Sequence, residues 1–443
     1  SKHLLDLGSH RILVDCGLFQ GLKELRERNW RPLTVAASAV DAVVLTHAHL
    51  DHCGYLPRLV AQGFRGHILC TSGTRDLCSI VLPDAAHIQE EDARNANKYH
   101  YSKHHPALPL YTSEDAARAL TLIQPVDYNR PTPVVPGADV EFIGAGHLLG
   151  AAYARIRVAG GRTILFGGDL GRYERPVLPD PAPIESADVL LLESTYGDRT
   201  HLPDDGGARL AGIVSEAAAR DGKLIIPAFA IGRVEELLYW LKHLENTGRI
   251  PILPVYIDSP MAGRALQFYA NRIDELDPDV KPAGRGVSAF ATRRMTVVAS
   301  AQQSIDLVKS RKPAIVIASS GMATGGRVIH HLEAALPSER NTVLFVGFQA
   351  AGTRGRALVD GAKVIKMKGH DVPVAARVER VDSMSAHADA GEIMRWLSGF
   401  TRPPETTYLV HGETTPLETL RSRVQSELGW NVQIAHHEER VEV

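Results

Sequence analysis

The sequence predicts an α/β protein of two domains, one inserted into the other, on three observations. At 443 residues the chain exceeds the roughly 250–300 residues at which a single hydrophobic core stops growing. Short β-branched runs alternate with amphipathic stretches from the first strand onward. After Tyr196 this turns into a regular strand–helix alternation, and from residue 366 short strands return. We expect a first domain in two parts, 1–200 and 366–443, interrupted by an inserted domain at 201–365.

Residues 11–16 (RILVDC) read as a buried strand, so near Ser1 that an earlier strand is expected to be missing. Strands follow at 41–46, 140–143, 154–158, 163–166 and 189–193; Ala159-Gly160-Gly161-Arg162 joins two of them as a hairpin turn. A long helix is expected at 72–97, ending in a His-, Tyr- and Pro-bearing loop at 98–109. Beyond Tyr196, helices at 206–220, 234–245, 261–276 and 326–335 alternate with strands at 223–227, 255–258, 314–318 and 342–346. Such alternation builds a mostly parallel sheet covered by helices. Strands at 409–410 and 432–435, with one helix between them, close the chain.

The composition, 44% hydrophobic and 23% charged, is that of an ordinary globular protein. A net charge of −2 argues against a uniformly basic nucleic-acid coat protein and leaves room for a local basic groove. The four cysteines, Cys16, Cys53, Cys70 and Cys78, form no CxxC pair. Neither a disulfide framework nor a thiolate zinc site is expected, and a reducing, cytoplasmic compartment fits best. With no apolar run of roughly 18 residues and no charged-then-apolar leader, neither a membrane span nor a signal peptide is expected.

The strongest chemical signal is His47-Ala48-His49-Leu50-Asp51-His52, directly after an apolar strand. Four ligand-capable side chains on one tight loop can face a common point. Imidazole and carboxylate without cysteine suit a catalytic rather than a closed structural zinc site. The alternative is a surface cluster of histidines opening a helix. His147, Asp169 and His411 each follow an apolar run beside or near glycine, where the backbone can turn sharply toward a metal. Taken singly each reads as a turn residue; taken with the HxHxDH loop, each reads as a ligand.

This pattern resembles the metallo-β-lactamase superfamily, whose fold is an αββα sandwich with two metals at the sheet edges. The resemblance implies that His47, His49 and His147 hold one zinc and Asp51, His52 and His411 the second, bridged by Asp169. It also implies that Asp15 supports the first-loop ligands rather than binding metal. Leu191–Arg199 (LLESTYGDR), Ser385-Ala386-His387-Ala388-Asp389 and Leu409-Val410-His411-Gly412-Glu413 resemble the three motifs of the β-CASP nucleases. The segments 226–233, 256–262 and 319–327 resemble parts of their inserted domain. The fold class expected is thus a metallo-β-lactamase sandwich with an inserted β-CASP α/β domain. The implied relatives are bacterial and archaeal counterparts of the nuclease subunit of the cleavage and polyadenylation specificity factor. His411, where DNA-repair members carry an apolar residue, favours RNA. With no domain ahead of the first strand and no long one after the last, the KH-bearing archaeal form and typical ribonuclease J are not expected.

The resemblance implies an RNA phosphodiesterase that cuts internally, with 5′-to-3′ exonuclease activity as a second mode, and dimerisation as in family members. Two zinc ions roughly 3.5–4 Å apart lower the pKa of a bridging water toward about 7 and clamp a phosphoryl oxygen. Asp51 is expected to orient that water or accept its proton. His387 would donate to the scissile phosphate or leaving oxygen, its imidazole held and its pKa raised by Glu193. On spacing alone, Glu193 reads equally as a strand-end cap and His387 as a helix start. The Gly-rich run after strand 314–318 offers backbone N–H groups at a helix start, a phosphate seat formed by Ser320, Gly321 and Met322. Arg233, Arg327 and Arg354 are expected to line an RNA path. His100, His104 and His105 read as surface or lid residues, and His330 and His331 as capping or packing residues. Two other classes stay open. A small-molecule thioesterase would not need a covering domain, and a non-catalytic RNA-processing scaffold should carry little zinc.

Overall fold

The structure, a computed structural model, describes residues 1–100, 102–203, 205–280, 288–347, 349–381 and 383–443. It divides into two compact units: Ser1–Glu174, Asp180–Thr200 and His387–Val443 form one, Arg175–Pro179 and His201–Ala386 the other.

The first unit contains two sheets. One has five strands in chain order: His3–Asp6, Arg11–Val14, Ala42–Val44, His67–Thr71 and Ile123–Val126. Strand His3–Asp6 pairs antiparallel with Arg11–Val14; half-buried beside polar neighbours, it carries little sequence signal. The second sheet has seven strands, ordered Val432–Ile434, Thr406–Val410, Val189–Glu193, Thr163–Phe166, Ala152–Val158, Ala138–Gly144 and Thr132–Val135. Their inner faces share one core, in which Ile12, Val14, Val44 and Leu69 of one sheet meet Phe142, Ile156, Ile164 and Phe166 of the other. Helices Ser72–Tyr99, Ala390–Leu397 and Thr414–Leu428 belong to the same unit. Helix Ser72–Tyr99 starts where the Thr71 hydroxyl accepts from Thr74 N at 3.2 Å, an N-cap. Residue 101, in the expected loop at 98–109, lies outside the described residues.

Register determines where the site is built. Thr163–Phe166, Val189–Glu193 and Thr406–Val410 run parallel, with Leu191 beside Phe166 and Glu193 beside Val410. Their carboxyl ends therefore share one sheet edge, and the chain continues from them into Asp169, Thr195 and His411. Strands Arg11–Val14 and Ala42–Val44 are likewise parallel, Val14 beside Val44, and lead into Asp15 and His47. Sites at the carboxyl ends of parallel strands are the general rule in α/β proteins.

The second unit has a six-stranded sheet, all pairs parallel, ordered Met295–Val297, Val255–Asp258, Ala314–Ala318, Lys223–Pro227, Thr342–Phe345 and Arg377–Arg380. Strand Ala314–Ala318 (AIVIA), buried at every residue, reads as an unbroken apolar run, as central strands of parallel sheets do. The expected helix 261–276 ends at Asn271 and is followed by a separate 3-10 turn, Ile273–Glu275. The second compact unit extends past residue 365. Strand Arg377–Arg380 pairs with Thr342–Phe345, which carries the second unit on to Ala386.

Candidate metal centre

The HxHxDH loop leaves strand Ala42–Val44 and turns at once into the short helix Leu50–Cys53. Its entry is fixed by Asp15, a buried residue in left-handed backbone (φ 57°). One carboxylate oxygen of Asp15 accepts from Thr46 N at 2.8 Å, and the other receives His52 Nδ1 at 2.7 Å. Thr46 Oγ1 lies within 2.9 Å of Asp15 and 3.1 Å of His47 Nδ1. A hydroxyl that donates to a carboxylate accepts from the ring, leaving His47 Nε2 without a proton. The fit needs glycine at 168, where φ is +55° and a Cβ would stand 2.8 Å from Thr46 Oγ1. The sequence reading missed Thr46, and its place one residue before the histidine loop was the available signal.

His47, His49, His147 and Asp169 bring one donor atom each to a common point. His47 Nε2 to His49 Nδ1 is 3.1 Å, and His147 Nε2 to His49 Nδ1 is 3.2 Å. Asp169 Oδ2 lies 3.3 Å from His47 Nε2 and 3.4 Å from His147 Nε2. A tetrahedral ion with bonds of 2.0–2.2 Å has ligand–ligand edges of about 3.3 Å, so these donors fit such an ion as they stand. Burial lowers the pKa of all three imidazoles, that of His49 to about 3. They are neutral, the state a metal ligand requires.

Asp51, His52 and His411 form a second cluster. Asp51 Oδ2 is 3.0 Å from His411 Nε2, and His52 Nε2 is 3.2 Å from Asp169 Oδ1. The two oxygens of Asp169 thus divide between the clusters, as a bridging carboxylate requires. His52 Nε2 and Asp169 Oδ1 are buried with no hydrogen-bond partner among the described residues. Polar atoms orphaned in this way are costly unless an ion satisfies them. Burial opposes charge on His52, but the Asp169 and Asp15 carboxylates prevail and raise its pKa to about 10. The field there favours a cation, which a metal would supply in place of the proton. The residues present fit a bound metal pair.

Glu193 and His387 stand beside these clusters. His387 Nδ1 is 3.0 Å from both Glu193 oxygens, and Glu193 Oε1 also accepts from Leu170 N at 2.7 Å. Burial works to discharge His387, yet the Glu193 and Asp169 carboxylates outweigh it and raise its pKa to about 9. The ring lies 4.6 Å from that of His147. Glu193 also groups with Asp169 and His411 as potential donors.

The residues expected to touch RNA sit in the second unit and divide in two. Arg233 is buried, its Nη1 on Glu236 at 2.8 Å. Arg354 spends its guanidinium on the carbonyls of Lys366, Ala323 and Thr324. A buried carboxylate engages a donor of the first, and backbone carbonyls engage donors of the second. Arg327 is 26% exposed and donates to the buried Asp258 at 2.7 Å. In the run at 319–327, Gln349 Nε2 donates to Gly321 O, Gly355 N to Met322 O, and Ser320 Oγ accepts from Thr324 N. His331 is buried against Asp258 at 2.6 Å, and His100, His104 and His105 are exposed.

Three family models match the chain: a Beta-lactamase superfamily domain at residues 10–221, a Beta-Casp domain at 234–358, and a Zn-dependent metallo-hydrolase RNA specificity domain at 371–435. The chain is 37% identical to Ribonuclease TTHA0252 of Thermus thermophilus, covering 100% of this chain and 97% of that protein. It is 31% identical to an RNase J-like protein of Methanocaldococcus jannaschii, over 91% of this chain and 87% of that one. It is also 31% identical to the transcription termination factor FttA of Methanosarcina mazei, over 97% and 67% respectively. A solved structure of a protein of unknown function from Enterococcus faecalis shares the fold, with a TM-score of 0.53 and 14% identity over 99% of this chain and 95% of its own. With the sandwich, the inserted parallel sheet and the clustered histidines and aspartates already in view, the chain belongs to the β-CASP family of metallo-β-lactamase-fold ribonucleases.

Proposed function

We propose that this chain hydrolyses RNA phosphodiester bonds with two zinc ions, one on His47, His49 and His147, the other on Asp51, His52 and His411, with Asp169 between them. The observation that carries this reading is the division of the Asp169 oxygens: Oδ2 faces the first cluster and Oδ1, orphaned and buried, faces the second. When bound, the ions supply Lewis acidity, lowering the pKa of water toward about 7 and neutralising phosphoryl charge. The protein's own groups do the rest. Asp51, with 33% side-chain exposure, orients the attacking water. His387 keeps one proton at Nδ1 against Glu193, so the proton for the leaving oxygen departs from Nε2. Glu193 holds that ring in place and stabilises its charge.

The test is incubation of an end-labelled RNA and its DNA counterpart with the purified chain, with and without a chelator, beside metal analysis by mass spectrometry. RNA cleavage lost on chelation and restored by zinc, at about two zinc per chain, is the expected result. Undiminished cleavage without divalent ions would sink the reading. Internal fragments mark the endonuclease mode, the one expected to dominate, and early mononucleotides the 5′-to-3′ mode. A homodimer rests on the family resemblance alone, and sedimentation velocity checks it. A cytoplasmic location is proposed on the support of four free, buried cysteines; among the described residues no helix is long and apolar enough to cross a membrane.

A further inference from the structure

His411 is the one donor of the second cluster that comes from the end of the seven-stranded sheet, and its geometry is unusual. Its backbone is left-handed, with φ 52°, a conformation that a residue with a Cβ adopts only when its surroundings hold it there. What holds it is the end of the neighbouring strand, Val189–Glu193. Ser194 N donates to the His411 carbonyl at 3.3 Å, and Thr195 Oγ1 donates to the same oxygen at 3.3 Å. Thr195 Oγ1 is also 3.2 Å from His411 Nδ1, while Thr195 N reaches Glu193 Oε2 at 3.4 Å.

A hydroxyl has one proton. If Thr195 gives it to the carbonyl, which has none to return, the oxygen can only accept at Nδ1. His411 then carries its ring proton at Nδ1 and presents a bare Nε2. That nitrogen faces Asp51 Oδ2 at 3.0 Å, two acceptors opposed across a gap that a cation would fill. Asp169 Oδ1, at 3.6 Å from Nδ1, is farther than the hydroxyl and is shared with His52. We infer that Thr195 is a positioning residue for the second metal: its hydroxyl sets both the tautomer and the backbone turn of His411, so that Nε2 rather than Nδ1 becomes the donor. The same hydroxyl logic at Thr46 serves His47, but there Asp15 takes the proton, whereas Thr195 uses the carbonyl of the histidine it orients.

This rests on the two-zinc reading, and the experiment separates the two. Zinc is titrated into metal-free wild-type chain, Thr195→Val and Thr195→Ser, in competition with a chromophoric chelator. The valine retains shape without the hydroxyl; the serine keeps the hydroxyl. The wild type should show two binding steps. In T195V one step should be unchanged and the other weakened about 10–100-fold, the usual cost of removing a partner behind a metal-bound histidine; T195S should lie within about threefold of wild type. In ¹⁵N-histidine spectra of the zinc-loaded chain, a slowly exchanging Nδ1–H of His411 should appear in wild type and T195S and vanish in T195V. T195V binding both ions as tightly as wild type, or His411 protonated at Nε2, would overturn the assignment. A wild-type chain with a single step would overturn the two-zinc reading itself. If T195V fails to fold, the wild-type and T195S spectra still decide the tautomer.

Discussion

Two buried carboxylates, one in each unit, show how surroundings decide what the same group becomes. Asp169 and Glu235 are both almost fully enclosed, and burial alone would raise the pKa of each. Around Asp169, the imidazoles of His411, His52, His47 and His387 reverse that tendency and hold it far below the usual carboxylate range. Glu235 sits in the first turn of helix Arg233–Asn246. Neither oxygen has a hydrogen-bond partner among the described residues, and burial prevails over nearby backbone N–H groups and Arg233, pushing its pKa up to about 8. The first is an anion surrounded by groups able to hold a cation with it. The second is a neutral acid for most of the physiological range. A buried carboxylate therefore indicates a metal site only where ligand-capable partners converge on it.

The largest effect expected from breaking this contrast is at Asp169. Asp169→Asn should lower RNA cleavage by at least about a thousand-fold and reduce bound zinc, because one of its oxygens serves each cluster; a variant that keeps two zincs would show the carboxylate is not a bridge. His387→Ala removes an imidazole from the same surroundings without removing a donor. Its kcat should fall about 10²–10⁴-fold with metal content unchanged, and a kcat within twofold of wild type would reduce the Glu193–His387 pair to a structural role. Asp258→Asn tests a third buried carboxylate, paired with Arg327 and His331 and bonded by Ser304. Breaking such a network costs about 3–5 kcal/mol, visible as a lower midpoint in urea.

The last effect has the opposite sign. An unfolded glutamate titrates near about 4.3 and the folded Glu235 near about 8. Between those values the folded chain keeps a proton that the unfolded chain has lost, so stability falls as pH rises through this window and is level on either side. Glu235→Gln should remove that slope, raising stability on the order of 4–5 kcal/mol at pH 8 and hardly at pH 4. Melting temperatures across that range check it, and parallel curves for variant and wild type would show that Glu235 is solvated.

How much of this was legible in the sequence followed from how local each feature is. The HxHxDH loop declares itself because four donors share one turn. His147, Asp169 and His411 needed the register of parallel strands to meet, yet each stood at a strand end next to or near glycine, which was enough to nominate it. Glu193 and His387 were equally readable as caps until the fold put them 3.0 Å apart. Thr46 offered only its place before the histidine loop, and Thr195 was not legible, since a hydroxyl's role depends on the angle at which it meets a ring. The partners of Arg233 and Arg354 were equally hidden: which carboxylate or loop carbonyl an arginine bonds cannot be read from its place in the sequence. That Arg377–Arg380 joins the second unit's sheet was hidden because a short, half-exposed strand carries no signature of the sheet it joins.

The order in which the donors appear along the chain has a consequence for synthesis. All of the proposed first cluster, together with Asp51 and His52, precedes the second unit, whereas His387 opens the segment after it and His411 lies beyond that. A nascent chain that has not yet made the second unit therefore holds every proposed donor but His411 and lacks His387, so on the two-zinc reading the centre is completed only after the second unit has been synthesised.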